Sequence, residues 1–166
     1  LLRAEMRSWG KMADDYGLVA VRIPTWSRTK LDTITALKES DGLDAVVARI
    51  PLQDHRDKYR QIAAGGFSEK EFEDAYATMD FVYDRVEKAL EEGGPYLVGE
   101  MFTLADINML PFIDQFAKYR PQLFENSAHP KTKVWLDLVM ARPAVIKVYT
   151  PSDEAPARPP AGQSAA

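Results

Sequence analysis

The sequence predicts an all-α helical bundle, and three observations carry that expectation. Two segments, 68–92 and 103–119, open on a Ser or Thr followed three residues later by an acidic residue, the pattern of an N-terminal capping box. Apolar residues within the first of them recur at three- and four-residue spacing over about seven turns, the period of a helix. Gly and Pro clusters (Gly65-Gly66, Gly93-Gly94-Pro95, Arg142-Pro143) then separate the patterned segments at intervals suited to helices.

The first element is predicted over 1–23. Leu2, Met6, Trp9, Ala13, Tyr16 and Ala20 form a stripe, Met12, Val19 and Ile23 widen it, and Pro24 should stop the helix. Between 25 and 67 the pattern is less regular. A short helix is expected over 29–37 with Leu31, Ile34 and Leu37 on one side; 44–50 fits helix or strand; 52–64 reads as a polar helix with Tyr59 and Ile62 inward, ended by Gly65-Gly66. The segment 68–92 is the clearest helix. Ser68 and Glu71 make its box, Phe67 and Phe72 its hydrophobic staple, and Phe72, Ala75, Tyr76, Met79, Val82, Tyr83, Val86, Ala89 and Leu90 its apolar stripe.

The next helix starts at Thr103 and runs to about 119. The Thr103 hydroxyl can accept from the Asp106 N–H while the Asp106 carboxylate returns to the Thr103 N–H, at the positive end of the helix dipole. Phe102 and Ile107 have staple spacing. Ile107, Leu110, Pro111, Ile113 and Phe116 are expected to be buried, Pro111 to kink the helix, and Asn108, set among apolar neighbours, to need a partner if buried. A helix over 130–140 with Pro130 at its first position, and a short one over 142–148, complete the domain. The expected organisation is a helical domain over 1–150, containing a long helical insertion at 25–67, followed by a disordered Pro/Ala-rich tail over 151–166.

The 166 residues suit one domain with a real core, and 46% hydrophobic with 28% charged residues is an ordinary soluble composition. The net charge of −4 and the scatter of Lys and Arg speak against a nucleic-acid partner. No apolar run approaches the roughly 20 residues a membrane span requires, and no signal-peptide pattern is visible, so a cytoplasmic protein is expected. Cysteine is absent, which removes disulfides, thiolate metal sites and cysteine nucleophiles; the two histidines, His55 and His129, stand in no ligand motif, and no metal is expected. The opening Leu1-Leu2-Arg3-Ala4-Glu5-Met6 is already helical in pattern, with neither an initiator Met nor a capping residue, from which a missing upstream part is expected.

No Gly-rich phosphate loop, Ser-His-Asp spacing or paired-carboxylate motif stands out, and carboxylates such as Glu71, Glu73 and Asp74 fit a solvated face. No catalytic residue is assigned. Met6, Trp9, Met12, Tyr16 and Trp26 are the candidate substrate-binding residues, an apolar and aromatic surface for a hydrophobic ligand; Met and aromatics at helical spacing are also what a core uses, Trp9 first among them. Thr103 and Asp106 are structural, and loss of either cap partner should cost about 0.5–2 kcal/mol.

Four features in order carry a resemblance: Arg3-Ala4 with Trp9 in the opening helix, Tyr96-Leu-Val-Gly before Phe102-Thr-Leu-Ala-Asp-Ile, Pro111 eight residues after the cap, and Trp135-Leu followed by Ala-Arg-Pro-Ala-Val. Together they resemble the C-terminal domain of glutathione transferases over 1–24 and 68–148. The stretch from Ile50 through Gly66-Phe67-Ser68 is similar to bacterial members related to the glutathione-dependent β-aryl-ether-cleaving enzymes. The departure is the segment 25–67, where typical members join their first two helices more directly.

The resemblance implies that the parent enzyme activates glutathione, its co-substrate, in an N-terminal thioredoxin-like domain absent from this chain. The helical domain would then wall the pocket of a hydrophobic electrophile, with its first helix and the end of the chain, and would help form a homodimer. The extra segment would be a lid, added dimer surface or peripheral decoration. Arg3 and Arg7 would face the missing domain or solvent. The competing reading is a non-enzymatic interaction scaffold on the same fold, since a fold does not fix a function.

Overall fold

The opening helix outruns the proline expected to stop it. In the computed structural model, which describes residues 2–125 and 128–150, α1 (Leu2–Met12) passes through a π-helical stretch at Ala13–Gly17 into α2 (Leu18–Thr29) with no break. Pro24 lies inside α2 and is buried with Ala20 and Val21. A proline forfeits one backbone hydrogen bond and strains one turn; burial of this face against α6 offsets that. The stripe expected here is only partly inward. Ala13 and Ala20 are buried, Met6 and Trp9 half-buried, and Leu2, Tyr16 and Val19 exposed.

Three short helices follow: α3 (Leu31–Glu39), α4 (Leu43–Ala48) and α5 (Gln53–Ala64). The ambiguous 44–50 stretch is thus helical as far as Ala48. Ile34 and Ile62 point inward as expected, but Leu31 is 45% exposed. The long α6 (Glu69–Gly93) begins with the predicted box: the Ser68 N–H donates to a Glu71 oxygen at 2.8 Å and the Glu71 N–H to Ser68 Oγ at 3.3 Å. Then come α7 (Leu104–Tyr119), a single unpredicted turn α8 (Gln122–Glu125), α9 (Pro130–Met140) and α10 (Pro143–Tyr149). Among the described residues there is no β-strand, and the fold is all-α. The expected tail, 151–166, lies outside the described residues.

The core sits where α1–α2, α6, α7 and α9 pack together. Met79, Val82, Tyr83 and Val86 of α6 meet Met109, Ile113 and Phe116 of α7 and Trp135 and Val139 of α9. Tyr83 is wholly buried, and burial pushes its phenol well above the ordinary range, so it stays neutral. Two expectations for α7 need correction. Ile107 and Pro111 are exposed rather than buried, and so is Asn108, which therefore needs no protein partner. With Leu104 they lie at helical spacing on one face, and that face is open. Similarly, Val134 and Leu138 of α9 are exposed while Thr132, Trp135 and Val139 face in.

Two buried carboxylates fix the starts of α7 and α9. Asp106, fully buried, accepts from the Thr103 N–H (2.8 Å) and hydroxyl (3.2 Å), from the Leu97 N–H (3.0 Å) and from the Trp135 indole N–H (2.9 Å). The Thr103 hydroxyl accepts from the Ala105 N–H at 3.2 Å and completes the box. Glu87 of α6 does the same work across the bundle. It accepts from the Lys131 N–H (2.9 Å), the Thr132 N–H (2.7 Å) and the Thr132 hydroxyl (2.7 Å), at a helix start whose own N-cap residue, His129, supplies no side-chain bond.

Candidate functional site

On one side of the bundle lies a seam, where α1–α2 and α7 run side by side in the same direction. Glycine sets the closeness. A Cβ at Gly17 would stand 2.7 Å from the Phe112 ring, a clash, and one at Gly10 would stand 3.2 Å from the Asn108 side-chain amide. The far end is pinned by the Tyr119 hydroxyl donating to Thr25 Oγ1 at 2.8 Å, with the Arg28 guanidinium 5.5 Å from the Tyr119 ring centre.

Along one edge of the seam lie two grooves. The first, about 640 Å³, is lined by Met6, Gly10 and Leu104 at its apolar part, by Asn108, and by Arg3, Arg7 and Lys11 at four-residue spacing along α1, with Asp14 beyond them. Lys11 pairs with Asp15, and that hydrogen bond holds its ammonium above the usual lysine range. The second, about 580 Å³, lies between Arg28 and Thr29 of α2 and Gln115, Lys118 and Tyr119 of α7. On α7, Leu104, Asn108, Gln115 and Lys118 recur at three-, four- and seven-residue steps, so one helix face serves both grooves. Volumes of this order suit a small molecule, and an apolar floor with a few polar groups at its rim is how such sites are usually lined.

The five candidate residues do not converge. Met6 lines the seam groove. Trp9 and Met12 turn to the opposite side of α1, where they pack against the core and border a separate groove with Arg85 and Val98. Tyr16 is 41% exposed and stacks on Phe81 of α6 at 5.1 Å. Trp26 is half-buried, edge-on to His55 (5.2 Å) and Tyr59 (5.7 Å) of α5. The groove residues that periodicity missed are Leu104, Asn108, Gln115 and Tyr119. Their signal was the pair Gly10 and Gly17, seven residues apart on one face, which marks a close helix crossing.

At the seam Lys11 is paired with Asp15, Lys118 with Asp114, and the Tyr119 hydroxyl with Thr25. Asp106 lies below it, wholly engaged by its four donors. Among the described residues no group of three His, Cys, Asp or Glu side chains could hold a metal ion. His129 is committed elsewhere, with Nε2 2.9 Å from Asp84 and its ring against Tyr83. No helix among the described residues is long and apolar enough to cross a membrane. The seam thus offers an apolar floor with cationic and amide groups at its rim.

Fold and capping box define an all-α helical domain, and comparison with known proteins gives its family. Residues 42–143 match the family model of the glutathione S-transferase C-terminal domain, and the chain belongs to that family. Protein LigF of Sphingobium sp. strain SYK-6 is 26% identical over 155 residues, covering 90% of this chain and 59% of LigF. Glutathione S-transferase 1 of Triticum aestivum is 40% identical over 57 residues, 34% of this chain and 24% of the wheat protein. The crystal structure of the β-etherase LigF from the same Sphingobium strain superposes with a TM-score of 0.77 at 24% identity, over 89% of this chain and 61% of that one, a likeness of fold. The chain thus spans about three fifths of LigF. At 90% coverage of this chain, the match to LigF is too wide to leave out the 25–67 segment.

Proposed function

We propose that this chain is the electrophile-binding helical part of a glutathione-transferase-type enzyme, and that the α1–α7 seam is its contribution to the substrate pocket. The observation that carries the reading is the open, partly apolar seam groove in a domain of this family. A thiolate is the nucleophilic form of glutathione, and in this reading the residue that stabilises it belongs to an N-terminal domain. In this reading glutathione is the co-substrate, bound mainly by an N-terminal domain, and Met6 and Leu104 contact the apolar body of the electrophile. Likeness to a β-etherase over most of the chain supports a hydrophobic, aromatic substrate such as an aryl ether, and favours an enzyme over an interaction scaffold. The active form is a homodimer in the cytoplasm.

The test uses the intact polypeptide. It should be retained on immobilised glutathione and should turn over a general aromatic electrophile or a β-aryl ether in a glutathione-dependent way. Met6→Ala with Leu104→Ala should raise KM for the electrophile about tenfold, the order expected for lost methylene contacts, while KM for glutathione stays put. Failure of both retention and turnover would sink the enzyme reading; a change in the glutathione KM alone would move the seam out of the electrophile pocket.

A further inference from the structure

We propose that α3, α4 and α5 form a flap that swings as one body about Lys30 and Gly65–Gly66, and that contacts from α5 to Arg22, Trp26 and Glu71 hold it shut. The first observation is a second core. Ile34, Val47 and Ile62 are fully or nearly fully buried, yet among the described residues no hydrophobic side chain between 25 and 67 joins the main core. These three lie one on each helix of the unit, whose helices contact one another pairwise. The Lys38 ammonium also donates to the Ala63 carbonyl at 2.8 Å, tying α3 to the end of α5. The unit therefore has what it needs to move without coming apart.

The second observation is where it can bend. Each joint lies just outside a helix end locked to the bundle. On one side the last turn of α2 is held by buried Pro24, by the Thr25–Tyr119 bond and by Arg28 over Tyr119, and Lys30 follows at once. On the other side the Ser68–Glu71 box locks the start of α6, and the two residues before Phe67 are Gly65 at φ +138° and Gly66 at φ +95°. Backbone in that region is open to glycine, with nothing within 4 Å of either missing Cβ, so the joint is free of side chains.

The third observation is how the unit is fastened. Asp54 of α5 lies 2.7 Å from Arg22, and its carboxylate is 55% exposed; Gln61 of α5 donates to both Glu71 oxygens at 2.8 and 2.9 Å, across the glycine joint; His55 and Tyr59 meet the Trp26 ring. Exposed ion pairs and half-wet aromatic contacts hold weakly, so release needs no breach of the main core. Opening withdraws His55 and Tyr59 from Trp26 and bares its indole on the α5-facing side of α2. The flap thus covers an aromatic surface of the opening helix.

NMR of the intact protein without any ligand tests this independently of the reading of the seam. Because the unit moves without coming apart, relaxation dispersion at Lys30, Gly65, Gly66 and the Trp26 indole should show exchange that amides inside α6, α7 and α9 lack, and Asp54→Asn with Arg22→Gln should enlarge it severalfold while hydrogen exchange inside α3–α5 stays within about twofold of the parent's. The Trp26 indole resonance should move with the variant and those of Trp9 and Trp135 should not. Absence of exchange at Trp26 and at both joints would overturn the flap. So would a variant that accelerates hydrogen exchange throughout α3–α5, which would mean local unfolding in place of a rigid swing.

Discussion

Carboxylates hold both the bundle and the α3–α5 unit, but in opposite ways. In the bundle Asp106 and Glu87 are buried and answered by neutral donors, four and three hydrogen bonds respectively, at the positive ends of α7 and α9. At the α3–α5 unit Asp54 is exposed and answered by the charges of Lys58 and Arg22, and Glu71 sits at the surface with Gln61 and Ser68. Burial makes each bond in the first set costly to lose, because its donor has no water to turn to. Solvent makes each bond in the second set cheap to lose. The difference separates a region built to stay from a region able to move.

The comparison breaks most visibly at Asp106. Replacing it with Ala removes the cap and leaves the Leu97 N–H and the Trp135 indole N–H buried and unpaired. Summing the cap and two stranded donors gives about 3–8 kcal/mol, above the cap-only cost the sequence suggests. Chemical denaturation should show this as a global loss, with the α3–α5 helices and the bundle melting together. A loss below about 1 kcal/mol would mean that the two remote donors find other partners.

Next in size is Glu87→Ala, which strips α9 of its N-terminal acceptor and strands the Thr132 N–H and hydroxyl. A global cost of about 2–3 kcal/mol is expected, with Thr132→Val recovering little of it, since the backbone donor remains. Glu87→Gln should fall between, because it keeps one acceptor oxygen and loses the charge facing the helix dipole. If Glu87→Ala instead affected only exchange in α9, the bundle would be less cooperative than its shared core implies.

These two helix starts also mark what was legible in the sequence. The α7 cap lies within four residues, and Thr103, Asp106 and the turn before them state it locally. The α9 cap comes from Glu87, forty-four residues upstream of Lys131, and no local pattern carries that distance. Helix α7 shows the same limit. It is apolar around most of its circumference, so periodicity alone could not show that Leu104, Ile107 and Pro111 face outward. Along α1 the stripe merged two sides of one helix, and so grouped Met6, at the seam, with Trp9 and Met12, on the far side. Pro24 was read by its local cost alone, and the burial that outweighs it depends on α6, about fifty residues on.

The smallest effect, and the one that most sharpens the contrast, is acidification. The hydrogen bond from Lys58, with the charges of Lys58, Arg22 and His55 behind it, holds the Asp54 carboxyl below its ordinary range, and the Gln61 and Ser68 bonds do the same for Glu71. A carboxylate with a depressed folded-state pKa favours the docked state above its free value and loses that contribution as pH falls through the depressed one. The fastening of α3–α5 should therefore be complete near neutrality and weaken below about pH 4, where free carboxylates take up protons. Both groups are solvent-screened, so the change should be a fraction of the Asp106 effect and confined to one region. On a titration from pH 6 to pH 3, the Trp26 indole resonance should shift toward its position in the Asp54→Asn, Arg22→Gln variant, ahead of any change at Trp135. Simultaneous movement of both would mean that acid opens the bundle itself and that the two sets of carboxylates are not energetically distinct.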